Sequence, residues 1–361
     1  MFNEYVRNIE FELTNMCNAG CPMCSRMGSY PGGLSEVVYN SGWKNVSKEV
    51  HHHIIDSLVH EHVEAIDYGG NFGDPLIHPN IFELLEYTTQ FNIYQEVQTN
   101  ASLQTKKFWK NVAKLKNLRI WFHIDGLEDT NHLYRRFTNF KKIENNAKTF
   151  LDSGGSGSWV FIVFRHNEHQ VEEAQDLAKK WGFDEFIIKK TARGFENDSS
   201  RYASKKIMTK EGVQKLGYYA PENPKYRADS LEKREKLPVD CYSKKRGTFY
   251  VTCEEELHPC CITGKHAYRF NNTNIEKDNI YNDIKFNVKI DPVNNTFNDL
   301  VKNYNNLQET FEENWKCNNY KLCGARCGTN ITSQKDHIAF SQGGHSKRFT
   351  GWEGPHNLRN H

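Results

Sequence analysis

The sequence predicts an α/β protein in which a partial (β/α)6 TIM-like barrel precedes a smaller cysteine-rich domain. Two observations support this prediction: apolar segments alternate with helix-like segments over the first half of the chain, and the ten cysteines fall into two distant groups. Strands that alternate with helices form parallel sheets with right-handed crossovers. Six such units are too few for a complete eight-unit barrel of about 250 residues. A doubly wound open sheet is the alternative.

The elements of this barrel follow from the hydrophobic pattern. Six apolar or β-branched segments are predicted as strands, at residues 9–13, 63–68, 93–98, 118–124, 159–164 and 185–190. Five intervening segments are predicted as helices, at residues 47–62, 79–91, 105–116, 141–151 and 168–181. In the last of these, Val171, Ala174, Ala178 and Trp181 recur at the spacing of one helix face.

The alternation ends near residue 195, so residues 1–195 are assigned to the barrel. Residues 196–238 are polar and contain three prolines, which indicates a linker or excursion. Residues 239–330 contain seven of the ten cysteines and form the predicted cysteine-rich domain. Residues 331–361 are rich in Gly, His and Asn and are predicted as a C-terminal tail.

Composition argues against several classes of protein. The 47 Lys and Arg residues against 45 Asp and Glu give a net charge of +2, so no nucleic-acid-binding surface is expected. No run of about 18 apolar residues is present, so no membrane-spanning helix is expected. The N-terminus also lacks an apolar signal-peptide core. The protein is therefore predicted to be cytoplasmic, where ten cysteines indicate metal binding rather than disulfides.

The first cysteine group directly follows the first predicted strand. Cys17, Cys21 and Cys24 stand in a C-x3-C-x2-C pattern. Gly20 and Pro22 favour a loop over a helix at this point. Four thiolates would complete a [4Fe–4S] cluster, so three leave one iron open for a chelating ligand such as an amino acid. A zinc site with a distant fourth ligand is the alternative, although zinc motifs usually pair thiolates twice.

This pattern resembles the hallmark of the radical S-adenosylmethionine (radical SAM) superfamily, and the resemblance extends from residue 9 to about residue 195. It implies that the three cysteines hold a [4Fe–4S] cluster whose open iron chelates the methionine part of SAM. It also implies that one electron cleaves SAM to a 5′-deoxyadenosyl radical, which abstracts hydrogen from a substrate. Met23 departs from the family, where the residue before the third cysteine is usually aromatic, but its thioether could pack on the adenine.

Polar or glycine-rich residues follow all six predicted strands, at the rim where α/β barrels carry their active sites. The segment 69–75, Gly-Gly-Asn-Phe-Gly-Asp-Pro, resembles the GGEP motif of the family, which receives the SAM amino group. The resemblance implies SAM contacts from Gly70, Gly73, Asp74 and Pro75. An ordinary βα turn with Asp74 as a helix N-cap is the alternative.

Later strand ends supply further predicted SAM contacts. Asn100 and Asp125 resemble the ribose and methionine-carboxylate neighbourhood of the family. An ionised Asp125 suits ribose hydroxyls because it only accepts hydrogen bonds. Arg165 or Arg193 is predicted to pair with the SAM carboxylate.

Two conspicuous groups are interpreted as structural. The three histidines at 51–53 point in different directions on a helix and do not converge easily on one ion, so a solvated helix is predicted. Arg135 and Arg136 are likewise predicted to lie on a solvated helix face, with contact to substrate as the alternative.

The second cysteine group resembles the SPASM and twitch extensions of radical SAM enzymes. It lacks the complete SPASM pattern, so the resemblance implies one auxiliary [4Fe–4S] cluster in a twitch-like domain. The predicted ligands are Cys241, Cys260, Cys323 and Cys327, with Cys317 as a fifth candidate and Cys261 as a substitute for Cys260. Cys253 is interpreted as a buried thiol. A zinc-stapled domain or partly buried free cysteines are the alternatives.

These features predict a radical SAM enzyme that abstracts hydrogen from a peptide or protein, with a small molecule as the alternative substrate. The expected partners are SAM, that substrate and a one-electron reductant such as flavodoxin or ferredoxin, and neither nucleic acid nor a membrane is expected. The alternative from another class is a non-catalytic zinc or iron–sulfur module that acts as a scaffold for a partner. A barrel hydrolase has no paired-carboxylate or nucleophile–base signature in its support.

Overall fold

Parallel strands and helices make up the N-terminal half of the protein, as the hydrophobic pattern predicts. The structure is a computed structural model, and it describes residues 7–58, 63–190, 206–209, 212–215, 221–227, 238–264, 288–294, 299–300 and 337–341, with residues 302, 305, 306, 309, 323 and 327. Within these residues the strands are β1 Asn8–Phe11, β2 Met27–Tyr30, β3 Ala65–Tyr68, β4 Tyr94–Thr99, β5 Leu118–His123, β6 Ser156–Ile162, β7 Glu185–Lys189, β8 Lys206–Thr209, β9 Gly212–Lys215, β10 Thr248–Val251, β11 Glu256–His258, β12 Val288–Lys289 and β13 His337–Ser341. The α-helices are α1 Glu36–Ser41, α2 Lys48–Leu58, α3 Ile81–Thr89, α4 Lys106–Val112, α5 Asn131–Tyr134, α6 Phe140–Asp152, α7 Val171–Trp181 and α8 Tyr242–Arg246.

One large sheet organises the fold. Among the described residues its strand order is β12-β11-β10-β1-β3-β4-β5-β6-β7-β13. The seven strands from β10 to β7 in this order run parallel to one another. The six predicted barrel strands are β1, β3, β4, β5, β6 and β7, and they lie in chain order. A doubly wound sheet would reverse this order at a switch point, so that alternative is wrong and the partial barrel is confirmed.

Strands from the cysteine-rich part extend the barrel sheet. β10 pairs in parallel with β1, with Phe249 opposite Ile9 and Val251 opposite Phe11. β11 and β12 continue from β10 as antiparallel strands. At the other edge β13 pairs with β7, so part of the predicted C-terminal tail is a strand. The domain boundaries near residues 195, 238 and 330 stay predictions.

Side chains alternate between two faces of the sheet, and the helix-facing side forms the main hydrophobic core. This core includes Ile9, Phe11, Ile66, Tyr68, Val97, Ile120, Phe122, Phe161 and Ile188 from the strands and Ile54, Leu84, Val112, Ile143 and Ala174 from the helices. Trp121, Val160 and Ile187 form a separate cluster on the other face, inside the barrel. The helices therefore leave the interior and the carboxyl rim of the barrel open for a site.

The helices that cover the sheet are short. The longest described helix, α6, has 13 residues and buries Ile143, Ala147 and Phe150 on one face. Its N-terminus is capped by Asn139, whose side chain accepts a hydrogen bond from the Lys142 amide. No helix among the described residues is long and apolar enough to cross a membrane.

The first residue of the histidine run lies in the core, so the prediction of a solvated helix is wrong for it. His51 is 0% exposed, and its Nε2 lies 2.9 Å from the Tyr68 hydroxyl. Its ring centroid lies 5.3 Å from that of Phe11, so the residue sits where α2 meets β1 and β3. His52 instead stacks on Tyr87 at 3.7 Å. Burial lowers the pKa of His51 to about 3, so the ring is neutral at neutral pH.

We expect His51 to make the protein sensitive to acid. Between pH 6.5, its ordinary pKa, and about pH 3, the unfolded chain binds a proton at His51 that the folded protein excludes. The free energy of unfolding therefore falls as the pH falls through this interval. A His51→Gln variant should lose much of this pH dependence, whereas His53→Gln, on the same helix, should keep it. Urea titrations at several pH values measure both, and equal slopes for wild type and His51→Gln would contradict the assignment.

Candidate metal and cofactor site

The first cysteine group lies on a loop at the carboxyl end of β1. Residues 15–26 form turns rather than a helix, as the sequence predicts. Backbone hydrogen bonds hold the loop on two sides: the Asp74 amide donates to the Met16 carbonyl at 2.8 Å, and the Gly20 amide donates to the Arg136 carbonyl at 3.0 Å. The loop is thereby fixed to the segments that follow β3 and β5.

The three thiols of this loop come together in a buried pocket. Cys21 is buried, and Cys17 and Cys24 are partly buried. The side chains packed with them are Ala19, Met23, Tyr134, Ile162 and Phe164. Burial raises the pKa of Cys17 above its usual range, and Asp74, Cys21 and Cys24 raise it further. Burial also raises the pKa of Cys21 to about 11. The thiols of Cys17 and Cys21 therefore stay protonated until a metal replaces their protons.

Polar groups from two further strand ends meet these thiols. The side-chain amide of Asn100, which follows β4, lies 3.7 Å from the Cys17 sulfur. The carbonyl oxygen of Asn71, which follows β3, lies 4.0 Å from the Cys24 sulfur. The predicted convergence of strand ends on the cysteine loop is therefore present for β3 and β4.

Arg135 is largely buried beside the cysteine loop, with its side chain 14% exposed, so the prediction of a solvated helix face is wrong for it. Its Nε donates to Asp125 Oδ2 at 2.6 Å, and its Nη1 lies 3.8 Å from the Cys21 sulfur. Asp125 is fully buried, and its Oδ1 accepts from the Ile162 amide at 2.6 Å. Both carboxylate oxygens thus have donors within the protein. Asp125 holds a guanidinium against the cysteine loop, and its contact with ribose stays a prediction.

The glycine segment 69–75 packs closely on the chain that leaves β1. Gly70 has a φ of +129°, and a Cβ at this position would lie 2.8 Å from Cγ of Glu12. A Cβ on Gly73 would lie 1.8 Å from the Thr14 carbonyl oxygen. Only glycine allows this approach of backbone to backbone. The SAM contacts of Gly70 and Gly73 stay predictions.

Asp74 joins the ends of β3 and β4. Its Oδ1 accepts from the Leu76 amide at 3.1 Å, so it is the N-cap of the 3-10 helix Pro75–Ile77. Its Oδ2 accepts from the Asn100 amide at 2.8 Å, and the Thr99 hydroxyl lies 3.0 Å from both oxygens. The N-cap alternative is therefore observed. The predicted SAM contacts of Asp74 and of the proline after it stay predictions.

Glu12 is a residue of the site that the sequence reasoning missed. Its Oε1 accepts from the amides of Asn71 and Phe72 at 2.9 and 2.7 Å. Its Oε2 accepts from the Tyr250 hydroxyl at 2.8 Å. Burial raises its pKa to about 7. The available signal is the segment Ile-Glu-Phe-Glu-Leu at residues 9–13, in which glutamates alternate with core residues. Such glutamates must point to the face of the strand opposite the hydrophobic core.

The other three residues that are predicted to contact SAM have different surroundings. Met23 is buried in the same cluster as Cys21. Arg165, which follows β6, is 51% exposed and pairs with Glu222 at 3.1 Å. Its pairing with the SAM carboxylate stays a prediction. Arg193 lies outside the described residues.

Part of the second cysteine group also comes together. Cys241 is the N-cap of α8, and its sulfur accepts from the Lys244 amide at 3.5 Å. Burial raises the pKa of Cys241 to about 12, and the nearby Cys260 and Cys327 raise it further. The Asp240 amide donates to the Cys327 carbonyl at 2.5 Å, which fixes this cysteine beside α8.

The other cysteines of this group have separate surroundings. Cys323 is partly buried, and Cys317 lies outside the described residues. Cys253 is 1% exposed and packs with Phe72, as predicted for a buried thiol.

Cys261 connects the second cysteine group with the barrel. Burial raises its pKa well above the usual value, and the charges of Glu10, Cys260 and Cys327 raise it further. Its thiol donates a hydrogen bond to Glu10 on β1. Cys261 is therefore adjacent to the second cysteine group and to the barrel strand that leads into the first.

Both groups of thiols suit iron–sulfur clusters. Each brings several buried or partly buried cysteines close together, and thiolates are the ligands of such clusters. No three His, Cys, Asp or Glu side chains in the described part of the chain converge tightly enough to hold a single metal ion. A [4Fe–4S] cluster does not require that convergence, because its cysteines bind different irons.

The N-terminal half of the chain is similar in sequence to known proteins. Residues 11–178 match the Radical SAM superfamily. Mycofactocin maturase MftC of Mycobacterium tuberculosis is 26% identical over 178 residues, which cover 48% of this chain and 42% of that protein. The AdoMet-dependent heme synthase of Methanosarcina barkeri is 24% identical over 199 residues, which cover 53% of each chain. The chain spans about half the length of these curated relatives.

Solved structures share the fold. SuiB of Streptococcus suis bound to the precursor peptide SuiA has a TM-score of 0.52 at 14% identity, and the match covers 83% of this chain and 64% of that one. Hexahistidine-tagged anSMEcpe with bound AdoMet has a TM-score of 0.51 at 16% identity, and the match covers 88% of this chain and 87% of that one. These similarities agree with a parallel α/β sheet of the partial-barrel type followed by a cysteine-rich region.

Removal of Arg135 should destabilise the protein strongly. Arg135→Gln would leave the buried carboxylate of Asp125 without its cation, and breaking a buried ion pair in this way costs about 3–5 kcal/mol. Arg136→Gln is the matched control, since only its backbone carbonyl holds the cysteine loop, and its cost should stay within about 0.5 kcal/mol. A second change, Asp125→Asn, should restore part of the stability lost in Arg135→Gln. Urea unfolding measures all three variants, and equal stability of the two arginine variants would contradict the buried pair.

Proposed function

Because the chain belongs to the radical SAM superfamily through residues 11–178, we propose that it is a radical SAM enzyme that cleaves S-adenosylmethionine reductively and abstracts hydrogen from a substrate. The observation that carries this proposal is the meeting of three thiols, one buried and two partly buried, with Asn100 and Arg135 at the carboxyl ends of parallel strands. In α/β barrels that end carries the active site.

Cys17, Cys21 and Cys24 would hold the [4Fe–4S] cluster. When bound, the cluster supplies the electron for SAM cleavage and an open iron for the amino acid part of SAM. The protein contributes the surroundings. The buried pocket keeps water from the thiolates, and the guanidinium of Arg135 offsets part of their negative charge. Asp125 keeps that guanidinium in place.

The SAM-binding surface is assigned to the segments that follow β3 and β4. Gly70 and Gly73 give the backbone its close approach, and Asn100 presents its amide beside Cys17. Asp74 orders this turn through its hydrogen bonds to the Asn100 amide and the Thr99 hydroxyl. The buried thioether of the residue before Cys24 is assigned to the adenine. Arg193 is kept as a candidate for the SAM carboxylate.

An auxiliary [4Fe–4S] cluster is assigned to the second cysteine group. Cys260 and Cys327 both raise the pKa of Cys241, which supports a shared pocket. Cys323 is assigned as the fourth ligand, and Cys261 is the alternative because it also lies beside Cys260 and Cys327.

A peptide or protein is the proposed substrate, with a small molecule as the alternative. SuiB has been solved with a precursor peptide, and anSMEcpe has been solved with AdoMet and the Cp18Cys peptide at a TM-score of 0.51 to this chain. A one-electron reductant such as flavodoxin or ferredoxin would serve as electron donor.

Anaerobic reconstitution with iron and sulfide tests this function. The wild-type protein should take up both and should produce 5′-deoxyadenosine from SAM when dithionite is added. Cys21→Ala should lose SAM cleavage and part of the bound iron, because one corner of the SAM-binding cluster loses its ligand. Cys253→Ala is the matched control and should retain both, since its buried thiol packs with Phe72 in a different cluster.

Two results would count against the proposal. Undiminished SAM cleavage by Cys21→Ala would show that this thiol is not a cluster ligand. Zinc in the purified protein, without uptake of iron or sulfide, would favour the non-catalytic scaffold.

A further inference from the structure

Three carboxylates lie side by side inside the barrel. In the strand register Glu10 on β1 is opposite Asp67 on β3, and Asp67 is opposite Glu96 on β4. Neighbouring strands are about 4.8 Å apart, and residues at the same register project from the same face. These three side chains therefore form a continuous line, which we call the acidic row.

The acidic row faces the barrel interior. The residues next to its members belong to the helix-facing core; they are Ile9, Phe11, Ile66, Tyr68 and Val97. Alternate residues of a strand project from opposite faces, so the carboxylates point inward. Farther round the barrel the interior is lined by the apolar side chains of Trp121, Val160 and Ile187. The interior thus combines an acidic wall with an apolar one.

The acidic row contains buried oxygens that lack donors. Glu96 is 1% exposed, and its Oε1 accepts from the indole nitrogen of Trp121 at 3.1 Å. Its Oε2 is buried and has no hydrogen-bond partner among the described residues, and the same holds for Oδ1 of Asp67. A buried carboxylate without a full set of donors is costly. A ligand that brings donors would remove this cost.

Burial favours the protonated forms of the carboxyls in the acidic row. Burial raises the pKa of Glu10 and of Glu96 to about 8 each, and the nearby charge of Asp67 raises both further. Burial raises the pKa of Asp67 to about 6. Arg246 lowers all three values, Arg119 lowers that of Glu96, and the Gln98 side chain and Lys189 lower that of Asp67, yet all three remain above their ordinary ranges. At neutral pH the two glutamates therefore hold protons while Asp67 is largely ionised, and a cation bound beside them would favour the ionised forms of both glutamates.

The acidic row lies next to the proposed reaction site. Glu12, two residues beyond Glu10 on β1, holds the glycine segment by two backbone amides. Gln98 and His123, whose side chains meet at 2.6 Å, lie at the rim ends of β4 and β5. A group bound at the acidic row would therefore be anchored one layer below the rim that carries the first cysteine group.

We propose that the acidic row binds a cationic group of the substrate, an ammonium or a guanidinium of the kind that Lys and Arg side chains carry. The inference rests on the proposed function, because it names the class of substrate for the same site. Such a group can donate to Oε2 of Glu96 and Oδ1 of Asp67 together, and the planar guanidinium forks match paired carboxylate acceptors. A single metal ion fits less well, since no three such side chains in the described residues converge on one point.

Isothermal titration calorimetry of the reconstituted protein with SAM tests the inference. The peptide acetyl-Gly-Arg-Gly-amide should bind, and its citrulline analogue, which keeps the shape and loses the charge, should bind at least about tenfold more weakly, or about 1.4 kcal/mol. Agmatine carries the same guanidinium without a peptide. Binding of the peptide alone assigns a peptide substrate, and binding of agmatine alone assigns a small molecule. Equal affinities for the arginine and citrulline peptides, or no binding of either cation, would overturn the inference.

Variants locate the binding to the acidic row. Glu96→Gln and Asp67→Asn should each lower the affinity for the cation about tenfold. Glu173→Gln, on the exposed face of α7, should leave this affinity unchanged. Both row variants remove an ionisable carboxyl and keep the side-chain shape, and urea unfolding confirms that they fold. Unchanged affinity in both Glu96→Gln and Asp67→Asn would contradict the inference. Calorimetry needs no turnover, so this outcome is separate from the result of the SAM-cleavage assay.

Discussion

The buried carboxylate of Glu12 connects the parts on which the site depends. It lies where β1 ends and the cysteine loop begins. It accepts hydrogen bonds from two backbone amides of the glycine segment after β3 and from the hydroxyl of Tyr250 on β10. A buried carboxylate needs such donors, because the loss of water around it is otherwise uncompensated. One side chain therefore fixes the first cysteine group, the glycine segment and β10, a strand within the second cysteine group, relative to one another.

Around this anchor the fold keeps negative groups close together and buried. The three thiols of the cysteine loop are held near Asp74 and Asp125, and, among the described residues, Arg135 brings a guanidinium into contact with them. Burial and the neighbouring thiols raise the pKa of Cys17 and Cys21, so metal binding at this site must displace protons. The same constraint explains why both oxygens of Asp125 are bonded within the protein. Without these two donors, the negative charge of Asp125 would repel the nearby thiolates instead of holding the Arg135 guanidinium in place.

The sequence predicts the features whose signals are local. The segment 118–124 and β5 agree within one residue, and the loop of Cys17 follows from the glycine and proline within it. The place of β10 has no local signal, because Tyr250 meets Glu12 across 238 residues of chain. The burial of Arg135 is also unpredictable from its neighbours, since it depends on an ion pair formed only when the chain after β5 turns back. The acidic row did have a local signal, the alternation of charged with apolar residues in strands that were predicted only as parts of a sheet.

Because charged and apolar residues alternate in these strands, the acidic row faces the barrel interior, where it lies between the two cysteine groups. Glu10 receives a hydrogen bond from Cys261, which lies beside Cys260 and Cys327. From Glu10 the acidic row continues to Asp67, and the same strand leads through Glu12 to the cysteine loop. A cation bound in the row would lower the pKa of Glu10 and of Glu96, because it stabilises their ionised forms. The acidic row is therefore adjacent to both cysteine groups, through Glu10 on one side and through Glu12 on the other.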